Sequence, residues 1–305
     1  MNHFALQLLN PAIAISIAST LFLASSCSSS GKSGISMMHK QGHSGTEQQS
    51  GSMEHGGHDS TMPHGGGHHA SLSTKLQLIA PPDIKPNTPF PLTLTITDSS
   101  GNPISNFETT HEKLLHLIVV SDNLTTFQHI HPEYRQSGQF EVTTSLPKPG
   151  KYTLFADYKP AGSQQQVSVA TVSVPGTAET APTATFDTEK VVEKTVIRLT
   201  LPKSELKAGE DAMLQFDLKD ATSQAPVTLQ PYLGNLGHLV IISNTSTLGE
   251  ENYLHTHAMP NTPTGTVAFH TQFPRAGLYK MWGQFNRDGK IITADFWVNV
   301  PESSP

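Results

Sequence analysis

From residue 72 onward, apolar and polar positions alternate in short runs broken by Gly, Pro, Asn and Asp. A period of two is the signature of strands that bury one face, so these runs are predicted as β-strands. Seven come first: 75–80, 91–97, 114–121, 127–130, 138–146, 150–159 and 165–174. After a Pro- and Thr-rich stretch ending at Lys190, seven more follow at 195–202, 211–219, 238–243, 253–257, 265–273, 277–285 and 290–300. No segment sustains a helical period.

The second set repeats the first. Leu92 aligns with Leu214, His116 with His238, Gly150 with Gly277, Tyr152 with Tyr279 and Phe155 with Trp282, across one loop that is four residues longer in the second copy. This is an internal duplication. The pattern predicts an all-β chain of two tandem immunoglobulin-like β-sandwiches, residues 72–175 and 191–301, joined by a linker at 176–190. A cupredoxin-like sandwich is the alternative. The strands LLHLIVVS and HLVIIS are apolar on both parities, which predicts a mid-sheet position for each.

Before residue 72 the pattern is lost. Residues 1–27 read as a signal segment: an apolar run ends in Ala24-Ser25-Ser26-Cys27, where small residues before a cysteine resemble a bacterial lipobox. Lipidation of Cys27 would anchor the chain to a membrane of the bacterial cell envelope. As the only cysteine, Cys27 leaves none for a disulfide, a blue-copper thiolate or a cysteine nucleophile in the sandwiches. Residues 28–71 are rich in Gly and Ser and read as a disordered tether. The tether carries His39, His43, His55, His58, His64, His68 and His69 with Met37, Met38, Met53 and Met62. Imidazole and thioether together favour copper or silver, in weak and exchangeable sites.

Chemistry in the repeats centres on histidine. His116 opens an apolar strand and His129 and His131 follow; His238, His255 and His257 repeat the arrangement. Residues i and i+2 of a strand share a face, so each His-x-His presents two imidazoles together and the strand-leading histidine supplies a third. Three neutral imidazoles with an open position suit copper or zinc. The copies differ at Glu133 and Met259, which predicts a harder ion for the first site and a softer one for the second. His111, opposite Leu233, is a further candidate ligand, and His270 is expected to face solvent. Asp157 aligns with Gln284, so the sequence offers no shared acid beside the imidazoles. Imidazoles at their reference pKa predict binding that weakens below pH ~6.

The segments HLIVVS…HIHPE and PYLGNLGHLVIIS…HTHAM, with PG-x-Y-x-LFADY and G-x-Y-x-MWGQF, resemble secreted bacterial proteins with YtkA-like and CopC-like modules. The tether resembles the Met/His-rich segments of periplasmic copper- and silver-resistance proteins. These resemblances imply an envelope location and metal handling, and carry no reaction. A net charge of −6 gives no support for a nucleic-acid partner, and no small-molecule substrate is identifiable. The sequence therefore reads as an envelope-anchored, non-enzymatic metal protein, with copper first and zinc second, for buffering, resistance or delivery to a metal-transfer partner. A structural or interaction module is the alternative, and a three-histidine zinc enzyme the remote one.

Overall fold

The structure, a computed structural model, describes residues 73–202 and 206–302. The lipobox at Cys27 and the tether histidines and methionines lie outside the described residues.

In the first repeat, alternating residues form β1 (Thr74–Ile79), β2 (Phe90–Asp98), β3 (Phe107–Glu108), β4 (Leu115–Ser121), β5 (Phe127–Ile130), β6 (Glu133–Tyr134), β7 (Gln139–Thr144), β8 (Gly150–Pro160) and β9 (Gln166–Val174). The second repeat contains β10 (Glu189–Val192), β11 (Thr195–Thr200), β12 (Asp211–Asp220), β13 (His238–Ser243), β14 (Tyr253–His257), β15 (Thr266–Gln272), β16 (Gly277–Arg287) and β17 (Lys290–Val300). The described residues include no α-helix, and one 3-10 turn, Glu250–Asn252, precedes β14. The short pieces β3 and β6 and the edge strand β10 were not predicted, and β10 begins within the stretch read as linker.

Each repeat is a two-sheet antiparallel sandwich. In the first, β1-β2-β7-β6 faces a sheet in which β8 pairs with β4, β9 and β3, and β4 pairs with β5. In the second, β10-β11-β12-β15 faces β14-β13-β16-β17. In each repeat the chain passes back and forth between the two sheets in the immunoglobulin-like manner. A tyrosine near the start of the sixth main strand locks each corner: Tyr152 donates to Lys148 O at 2.8 Å and Tyr279 to Arg275 O at 2.8 Å. Both rings are buried, so Tyr279→Phe removes the corner hydrogen bond and should cost about 1 kcal/mol in denaturant unfolding. An unchanged midpoint would show the corner to be dispensable.

Each sandwich has its own core, around Leu92, Phe140 and Tyr158 in one and Phe216, Phe269 and Phe296 in the other. A third apolar cluster lies between the repeats and joins Ile118, Val120 and Phe155 to Val240, Ile242 and Trp282. It explains the strands that are apolar on both parities. On β4, Leu117 and Val119 turn into their own sandwich while Ile118 and Val120 turn to the other repeat; β13 does the same with Leu239 and Ile241 against Val240 and Ile242. The described residues of the two repeats accordingly form one compact unit.

The junction has an approximate two-fold relation. Phe155 of β8 stacks on Tyr253 of β14 at 5.0 Å between ring centroids, and the equivalent Trp282 of β16 stacks on Phe127 of β5 at 4.8 Å. Sequence reading places Phe155 and Trp282 in a core, and the structure places them in this shared one.

Candidate metal centre

Strand parity decides where the histidines go. On β5 and just beyond it, Phe127, His129 and His131 share a face, while Ile130 packs into the first sandwich. On β14, Tyr253, His255 and His257 share a face, while Leu254 packs into the second. His116 and His238 share the parity of Ile118 and Val240. All six imidazoles therefore lie at one end of the junction between the repeats, continuous with its apolar cluster.

They form two trios. One ligand nitrogen from each of His116, His129 and His131 lies within 4.8 Å of the others, and His238, His255 and His257 match this. The trios adjoin: the His116 and His255 rings are 5.4 Å apart between centroids, and His129 and His255 5.5 Å.

Hydrogen bonds fix which nitrogen faces the trio for four of the six rings. His116 donates from Nε2 to Thr110 O at 2.9 Å, and His238 from Nε2 to Tyr232 O at 2.8 Å, which leaves a lone pair on each Nδ1. The His-x-His leaders are held from across the junction. His129 Nδ1 donates to Gln284 Oε1 at 2.7 Å, and His255 Nδ1 donates to Asp157 Oδ2 at 3.1 Å.

With those protons placed, the trios have an electronic problem. His116 Nδ1 lies 3.0 Å from His129 Nε2, and His131 Nε2 lies 3.3 Å from the same atom. The first contact is not a hydrogen bond between neutral rings, since each has given its proton to a carbonyl oxygen. In the second trio, His238 Nδ1, His255 Nε2 and His257 Nε2 are buried with no hydrogen-bond partner. Clustered lone pairs without donors are costly, and a cation among them converts the cost into coordination. Imidazole nitrogens bound at about 2.0–2.1 Å in tetrahedral array would be roughly 3.3 Å apart. The first trio already approaches that spacing.

Burial keeps these rings neutral. It lowers His131 to about 3, His238 to about 4 and His257 to about 2, with neighbouring imidazoles contributing in the same direction. His129 and His255 are pushed well down and His116 is lowered, again chiefly by burial. Asp157 moves up through burial, opposed by its hydrogen bond from Gln165 and by nearby His116.

The other candidates are placed elsewhere. Glu133, on β6, has crossed to the opposite sheet beside β7, and its carboxylate pairs with Arg135 at 3.1 Å in solvent. Met259 is likewise exposed, with its backbone N–H donating to Ala268 O on β15. Neither belongs to a trio, so the predicted difference between hard and soft sites cannot arise from them. His111 sits at positive φ in a tight turn, stacks on His257 at 3.3 Å and bonds to Asn235 Nδ2 at 3.0 Å. It therefore covers the second trio from the first repeat. His270 is exposed and pairs with Asp211 at 3.4 Å. Sequence reasoning missed the roles of Asp157 and Gln284, whose only signal was strand parity with His116 and His238.

The family described as "Domain of unknown function (DUF8832)" matches twice, over residues 73–176 and 190–302. No curated protein matches the chain. Among solved structures, the Escherichia coli adhesin FdeC is similar at 18% identity and a TM-score of 0.26, over 76% of this chain and 66% of its own. The E. coli alpha-2-macroglobulin is similar at 13% identity and 0.26, over 75% and 16%. Invasin, a bacterial integrin-binding protein, is similar at 14% and 0.23, over 76% and 40%. The chain spans less than two thirds of the length of each of the three.

Proposed function

We infer that this chain, which belongs to the DUF8832 family through both of its repeats, is a metal-binding protein of the bacterial cell envelope. Copper is the favoured ion and zinc the alternative. The observation that carries this is the second trio: three buried imidazole nitrogens with no partner, two of them on rings oriented by hydrogen bonds from behind and the third on a ring stacked against His111. In this reading Cys27 anchors the chain by its lipid, the tether captures ions, and the paired trios hold them for buffering, resistance or delivery to a partner protein. The absence of a thiolate leaves all-imidazole ligation, which suits Cu²⁺ and Zn²⁺ and accommodates Cu⁺.

A second reading, a structural or interaction module, is favoured by the extent of the apolar junction, which packs the sandwiches together through ten buried residues independently of any ion.

Thermal unfolding of the whole chain separates the two. Ions held by the tether bind folded and unfolded chains alike and do not stabilise the sandwiches, whereas ions in the trios bind only the folded state. Zn²⁺ or Cu²⁺ at a hundred times the dissociation constant should add about 2.7 kcal/mol per site. For two filled sites that is a rise of more than about 10 °C in Tm. His238→Ala should halve the rise. No rise with either ion would leave the interaction module as the reading.

A further inference from the structure

The two trios are alike in ligands and unlike in charge. Asp157 is 1% exposed, and among the described residues no lysine or arginine pairs with it. Three neutral groups donate to its carboxylate: Gln165 Nε2 at 2.5 Å, Tyr253 OH at 3.1 Å and His255 Nδ1 at 3.1 Å. A buried anion with hydrogen bonds but no counter-charge is an unfinished arrangement. The position where a cation would finish it is the far side of the His255 ring, where the unpartnered Nε2 meets His238 Nδ1 and His257 Nε2. Carboxylate, imidazole and trio centre lie in series, an arrangement that raises the basicity of the ligand nitrogen and offsets charge on the ion. The equivalent place behind His129 holds Gln284, a neutral amide.

We propose that Asp157 sets the order and selectivity of filling, so that a divalent cation enters the His238–His255–His257 site first and the His116–His129–His131 site fills second. The inference rests on the reading of the trios as metal sites. Because Asp157 belongs to the first repeat and His255 to the second, the tighter site is completed only across the junction. In the first trio no ligand is hydrogen-bonded to an anion, Asp157 acting on His116 only through space, so that site favours an ion of lower charge such as Cu⁺.

Titration of the whole chain with Co²⁺, read by the visible bands of the four-coordinate ion, tests this. Six-coordinate Co²⁺ held by residues 28–71 absorbs far more weakly. Two steps are expected, the first tighter by about 10–100-fold, the usual reach of a residue supporting a ligand from behind. Asp157→Asn should weaken the first step by that factor and leave the second in place. Gln284→Glu, which supplies the missing anion to the first trio, should tighten the second step until the two merge. Equal steps in the unmodified protein, or an unmoved second step in Gln284→Glu, would overturn the ordering while leaving the sites intact. Absence of four-coordinate bands altogether would overturn the metal reading as well.

Discussion

Phe155→Ala will lower the stability of the fold by about 3–5 kcal/mol, the usual cost of removing a fully buried phenylalanine ring. On the proposed reading it will also weaken metal binding by histidines of the other repeat. Phe155 has no polar atom and touches no ligand nitrogen. Its ring is the surface on which Tyr253 lies, and Tyr253 both donates to Asp157 and begins the strand that carries His255 and His257. Removing the ring opens a cavity where β8 of one repeat meets β14 of the other, and the Asp157–His255 contact depends on that approach. Denaturant unfolding measures the first effect, and the metal-induced rise in Tm measures the second. A destabilised variant that kept the full rise would show that the sites do not require the junction.

The metal-free protein will lose at least about 10 °C of Tm between pH 7 and pH 5. His238 titrates near 6.5 in the unfolded chain and near 4 when folded. Below pH 6.5 the unfolded state therefore takes up a proton that the folded state refuses. The stability present above pH 6.5 is lost as pH falls towards 4. At pH 5 this amounts to roughly 2 kcal/mol for His238 alone. His131 and His257, lowered to about 3 and about 2, act in the same direction. A flat Tm across this range would show that the rings are not held neutral. On the proposed metal-binding reading, the lowered pKa values shift the expected loss of binding to below the pH ~6 read from the sequence. A folded site meets proton competition only near its own lowered pKa, so the trios should retain their ions at pH 5. Retention there would be a property of buried imidazoles, with no need of other ligands.

Much of this was legible in the residues. Strands show themselves by period two, and β5, β13, β14 and β17 fall where the alternation put them. The His-x-His pairs and their strand-leading partners are a short-range pattern, and short-range pattern survives in sequence. What packs on an apolar face does not. Ile118 and Val120 announced a second buried face on β4 without naming its partner, which is the other repeat. Asp157 and Gln284 align in the sequence but are set aside there because a duplication argument looks for identity, and here the informative feature is a difference at equivalent positions. Glu133 misled by proximity in sequence: after Pro132 the chain leaves for the opposite sheet, so two residues' separation from His131 places its carboxylate away from the site.

The matched stackings and the crossed hydrogen bonds make the junction isologous: each repeat offers the same patch to the other. A lone ancestral repeat with this patch would have paired with its own copy and made two identical sites about a dyad. Any substitution in such a dimer would appear in both sites at once. Joining the copies in one chain releases that constraint, and position 157 against 284, like 111 against 233, is where the two halves have since parted.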